Sequence, residues 1–120
     1  MRVQLALNVS DLKKSITFYE KMFDTKVYKV KPGYANFAIQ NPPLKLVLFE
    51  TDTSDGGTLN HLGVEVEDSN EVETLERRLS KSGLETTGIE QTECCFASKS
   101  ETWVEAPDNR WEWYVKKDDL

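Results

Sequence analysis

Histidine occurs once in the 120 residues, cysteine twice, and cations are outnumbered, with 15 Lys and Arg against 21 Asp and Glu. Each shortage excludes something. A net charge of -6 repels a phosphate backbone unless the cations gather on one face, and no stretch gathers them, so no nucleic-acid partner is expected. No apolar run approaches the roughly 20 residues that cross a bilayer. The opening MRVQLALNVSD meets a helix-starting pair too early for a secretory leader, and the expectation is a cytoplasmic protein without a membrane partner. The length suits one domain with a modest core and excludes a two-domain enzyme. Cys94 and Cys95 are adjacent and close almost no loop, which makes them a poor structural staple.

What is present is an internal echo. Gln4-Leu-Ala-Leu-Asn-Val-Ser-Asp11 lies over His61-Leu-Gly-Val-Glu-Val-Glu-Asp68, and both alternate in step. Leu5, Leu7 and Val9 share one face, as do Leu62, Val64 and Val66, so each segment reads as a half-buried strand. An amphipathic helix follows each. Ser10 or Asp11 caps a run with Leu12, Ile16, Tyr19 and Phe23 on one stripe; Ser69 caps another with Val72, Leu75 and Leu79, and Gly83 sits where a helix stops. Strand-like segments come next: 26–31, 34–40 and 44–50 in the first half, 84–91, 94–104 and 111–116 in the second, with turn signals at Pro32-Gly33, Pro42-Pro43 and Pro107-Asp108-Asn109. The expected fold class is α+β, two βαβββ modules over residues 1–50 and 59–116 with a connector at 51–58, together forming one open mixed sheet around a cavity.

The histidine, His61, falls on the strand face that does not pack under a helix, and its repeat mate Gln4 falls on the same face of the matching strand. Both are potential metal ligands. In Trp111-Glu-Trp-Tyr-Val115 the indoles and valine form the apolar face, which turns Glu112 the other way with Tyr114. A carboxylate so placed stays ionised when a cation or donor meets it. Gln4, His61 and Glu112 make a nitrogen and oxygen triad of the kind that suits non-haem iron(II) or a similar divalent ion. Matching Leu44-Lys-Leu46 to Trp111-Glu-Trp113 puts Lys45 opposite Glu112, and an ammonium has no lone pair to offer a metal, so three protein ligands are expected rather than four.

Three readings compete for Cys94-Cys95: an inert buried pair, a strained vicinal disulfide, or a dithiolate for a soft ion or metalloid. Adjacent side chains of a regular strand point apart, so a shared ligand needs a bend, and the polar Glu90-Gln-Thr-Glu93 before the pair reads as such a loop.

These residues resemble the vicinal oxygen chelate superfamily of glyoxalase, bleomycin-resistance and extradiol dioxygenase proteins. Within it, VQLALNVSDL, PGYANFAIQNPPLKLVLFE, LNHLGVEVEDS, and CCFA followed by WV are similar to the bacterial organoarsenical C-As lyases and the related cadmium-induced proteins. The resemblance implies an iron(II)-dependent, dioxygenase-type enzyme that uses dioxygen to break the carbon-arsenic bond of trivalent organoarsenicals and releases arsenite. It implies that Gln4, His61 and Glu112 hold the iron and that Cys94 and Cys95 bind the arsenic, and it allows two chains to pair as a homodimer. The chain departs from the family pattern at Phe96, which stands for a tyrosine, and at Glu101, which stands where a lysine is expected. A thiol-based cadmium or arsenic sequestering protein is the competing reading. Glyoxalase activity is a weaker one, because no second histidine replaces Gln4.

Overall fold

The computed structural model describes residues 1–52, 58–94 and 97–119, with the side chains of Cys94, Asp118 and Asp119 excepted. Most of the expected connector and Cys95 therefore lie outside the described residues. The chain divides into two compact units, Arg2–His61 and Leu62–Leu120, the second also taking in Met1.

In the first unit the alternating opening forms β1 (Arg2–Val9), followed by α1 (Leu12–Phe23), β2 (Lys29–Lys31), β3 (Tyr34–Ile39) and β4 (Leu44–Glu50). The strands lie in the order β2-β3-β4-β1. β4 runs parallel to β1 and antiparallel to β3. Leu46 and Leu48 of β4 pair with Phe37 and Ala35 of β3 and bury with Leu12 of α1, while Leu5, Leu7 and Val9 pack against them. Asp11 is the cap of α1, its carboxylate accepting the Lys14 amide at 3.0 Å, and Glu50 Oε2 accepts the Leu12 amide at 2.8 Å. Two orphan donors of the first turn are thereby met.

In the second unit β5 (Leu59–Glu65), whose first three residues belong to the first unit, leads to α2 (Ser69–Lys81), β6 (Glu90–Cys94), β7 (Ala97–Glu105) and β8 (Arg110–Asp119). The order is β5-β8-β7-β6, with β5 and β8 parallel. Val64, Val66, Val72 and Val115 form the core, with Trp111 and Trp113 against it, as the alternation requires.

Two local expectations are corrected. α2 is capped by Asp68 rather than Ser69, because Asp68 accepts the Glu71 amide while Glu71 reaches back to the Asp68 amide, a reciprocal pair that Ser69, three residues before a valine, cannot make. The segment 84–91 is not a strand throughout. Gly88 takes φ 75°, a conformation side chains resist, and before Glu90 the backbone holds a single bridge, Thr86 to Val104. Glu90 to Glu93, read as a loop, is instead β6, paired in order with Glu101 to Ser98.

Candidate functional site

Alternation along β1 sends Leu5 and Leu7 toward α1 and Gln4 to the opposite face, where it is buried. There its Nε2 lies 3.1 Å from Nε2 of His61, also buried. Asn60 Nδ2 donates to Asn8 Oδ1 at 2.9 Å, and Asn60 Oδ1 lies 2.8 Å from His61 Nδ1. With the amides so oriented, His61 donates through Nδ1 and accepts from the Gln4 amide at Nε2. In that tautomer Nε2 can ligate a metal, while the second nitrogen is tied to an acceptor, as it is in most metal-binding histidines. Alternation puts Asn8 on the face of Gln4, but neither Asn8 nor Asn60 is a site candidate by sequence; beside them Asn8 N donates to Thr58 O at 2.7 Å.

In the second unit Glu112, near the start of β8, lies between Gly63 of β5 and Trp103 of β7 and is 1% exposed. Register places Glu101 beside Tyr114 and Trp103 beside Glu112 on this same face. Lys99 Nζ donates to Glu112 Oε2 at 2.7 Å, stands 4.0 Å from Glu101 Oε1 and lies 5.1 Å over the Tyr114 ring. Tyr114 in turn donates to Glu65 Oε2 at 3.2 Å. Trp103 Nε1 donates to the other oxygen of Glu101, and the Arg110 guanidinium covers the Trp103 ring at 4.5 Å. Burial, and then the nearby Glu112 charge, push the Glu101 carboxyl above its usual range, against the pull of Lys99 and Trp103. Sequence reading noted Glu101 as a departure and missed Lys99. The alternation of β7 put both on one face, but only its pairing with β8 identifies that face as the one carrying Glu112.

The expected match of Lys45 to Glu112 is also corrected. Lys45 pairs with Gln4, whereas Glu112 pairs with Gly63, whose repeat mate at the 57-residue offset is Ala6, and Ala6 pairs with Val47. Val47 is the counterpart of Glu112, so the repeat supplies no fourth ligand there. Among the described residues no three of His, Cys, Asp and Glu gather as a metal-binding group; the expected triad has two of these types and a glutamine amide. Cys94 closes β6 opposite Ala97, and its side chain and all of Cys95 lie outside the described residues.

The chain has named relatives. A trivalent organoarsenical cleaving enzyme of Thermomonospora curvata is 56% identical over 119 residues, 98% of this chain and 79% of that one. The cadmium-induced protein CadI of Mycobacterium bovis is 56% identical over 115 residues, 95% of this chain and 75% of its own. Among solved structures, methylmalonyl-CoA epimerase from Mycobacterium tuberculosis superposes with a TM-score of 0.68 at 16% identity, covering 95% of this chain and 86% of that one, which marks a shared fold and nothing finer. The sequence profile that matches residues 2–111 agrees with both findings, and the chain belongs to the glyoxalase/bleomycin resistance protein/dioxygenase superfamily.

Proposed function

We propose that this protein cleaves the carbon-arsenic bond of trivalent organoarsenicals and releases arsenite, with iron(II) held by Gln4, His61 and Glu112 and the arsenic held by Cys94 and Cys95. The observation that carries the reading is the 56% identity, across nearly the whole chain, to an enzyme named for cleaving trivalent organoarsenicals.

The donor chemistry fits a divalent metal. His61 offers Nε2 in the ligating tautomer, Gln4 offers its amide oxygen after turning from its present hydrogen bond, and Glu112 is a buried carboxylate already engaged by a cation. Iron(II), when bound, supplies open coordination positions at which dioxygen is activated. The cysteines do the rest of the positioning. Two thiols condense with the two hydroxyls of an organoarsonous acid, forming two sulfur-arsenic bonds and releasing two waters, and so fix the carbon substituent in place. Phe96, next in sequence, lacks the hydroxyl of the tyrosine in the family pattern. The protein is proposed to work in the cytoplasm and to pair as a homodimer.

The test is anaerobic loading with iron(II), addition of methylarsonous acid, exposure to air and chromatographic quantitation of arsenite. More than one equivalent of arsenite is expected, dependent on iron and oxygen, and His61→Ala and Cys95→Ser each reduce release to background. The competing reading is sequestration by the thiols. Stoichiometric retention of unchanged arsenical would select it.

A further inference from the structure

Glu112, Glu101 and Lys99 are 1%, 4% and 6% exposed, two carboxylates and one ammonium withdrawn together from water. Such a set is tolerated when its charges are shared by close contacts. The ammonium is not shared equally: it is 2.7 Å from Glu112 and 4.0 Å from Glu101. Lys99 and Glu101 stand two residues apart on β7 with side chains on one face, and the lysine stem is flexible, so small rotations about its last bonds carry the ammonium from one carboxylate to the other. Glu101 is the more tightly placed of the two, since one of its oxygens accepts from the Trp103 indole, which Arg110 covers.

We propose that Lys99 competes with the metal for Glu112, and that Glu101 is the seat to which the displaced ammonium moves. The inference rests on Glu112 being a metal ligand, as proposed above. A divalent cation on that carboxylate would face an ammonium in contact with the same group, and the ammonium, having no lone pair, cannot join the coordination shell. Repulsion between the two cations favours its withdrawal, and among the described residues Glu101 offers it an anion 4.0 Å away. The arrangement also gives a physical reason for an acidic residue where the family pattern has a lysine: the cation is two positions earlier, and Glu101 is its alternative partner.

Cobalt(II), titrated anaerobically into the purified protein and followed by its visible absorption, reads the competition without any turnover. Lys99→Gln removes the competitor and is expected to tighten cobalt binding by about tenfold. Glu101→Gln still accepts from Trp103 and leaves the Lys99–Glu112 pair intact, so it folds, but it removes the seat and weakens binding by about tenfold. In the double variant the effect of Glu101→Gln shrinks to about twofold, because no ammonium remains to be rehoused. Unchanged or weaker binding by Lys99→Gln would overturn the proposal, as would an equal effect of Glu101→Gln in both backgrounds. A His61→Ala control separates the two failures: cobalt binding indifferent to that change, or absent from the unmodified chain, overturns the ligand assignment itself.

Discussion

Asn60 decides which nitrogen of His61 carries the proton, and it does so because its own amide is oriented by Asn8. Asn60→Ala removes the acceptor from Nδ1 and is expected to weaken cobalt binding about 10- to 100-fold, the usual cost of losing a partner behind a metal ligand. Nitrogen-15 NMR of the ring should change from a single Nδ1-protonated pattern to a mixture of tautomers; an unaltered ring spectrum would remove Asn60 from the site. Thr102 is a contrasting residue on the other face of β7, paired with Trp113, and its buried hydroxyl meets no hydrogen-bond partner among the described residues. Thr102→Val keeps the shape and removes the unmet group, so the urea midpoint should rise, by about 1 kcal/mol of stability. Neither effect was legible in the sequence. Residue type alone assigns neither an asparagine nor a threonine a partner, and only the neighbours across the sheet give these two their roles.

At the scale of elements, α2 shows a boundary the sequence held in plain form. Asp68-Ser-Asn-Glu71 carries the acceptor and the reciprocal carboxylate at the spacing of a capping box, whereas Ser69 lacks the second partner. Asp68→Ala should cost about 1 kcal/mol in chemical denaturation, and Ser69→Ala much less. Further along, Glu76 Oε1 accepts from Ser80 at 2.8 Å and from Thr86 at 2.9 Å, tying the helix to the segment that follows. These bonds hold the Glu76 carboxyl below its usual value. A carboxyl whose folded value is depressed adds stability above its unfolded value and loses it as pH falls through the folded one. Thr86→Val should therefore lower stability near neutrality and converge with the parent protein at low pH, which flattens the acid limb of the stability profile. The segment 84–89 escaped prediction as an irregular stretch because its alternation looked like a strand's, and the positive φ at Gly88 is a backbone choice that composition does not reveal.

At the scale of the molecule, each unit has its own core under its own helix. Phe37 and Leu48 are fully buried in the first, Val72 in the second. Leu48→Ala should cost about 2–5 kcal/mol, a large share of the roughly 5–15 kcal/mol that holds a domain together. Among the described residues no helix is long and apolar enough to cross a membrane. A metal bound by the folded chain also stabilises it by mass action. Cobalt(II) at 100 times its dissociation constant should add about 2.7 kcal/mol, visible as a higher melting temperature that His61→Ala abolishes.

The sequence by itself determined both helices and the strands other than β6, and it set Leu5 and Val64 on one face of their strands and Gln4, His61 and Glu112 on the opposite face of theirs, because a period of two assigns every strand residue to a face. It also carried the family, through runs of residues long enough to be specific. Tertiary structure decided the rest. Register between β7 and β8 brought Lys99 and Glu101 to Glu112, register between β1 and β4 put Lys45 beside Gln4 instead of opposite Glu112, and the meeting of Asn8 with Asn60 fixed the imidazole proton. Period tells which way a side chain faces; which partner it meets there depends on how far each strand slides against the next, and that is set by packing over the whole sheet rather than by any local pattern.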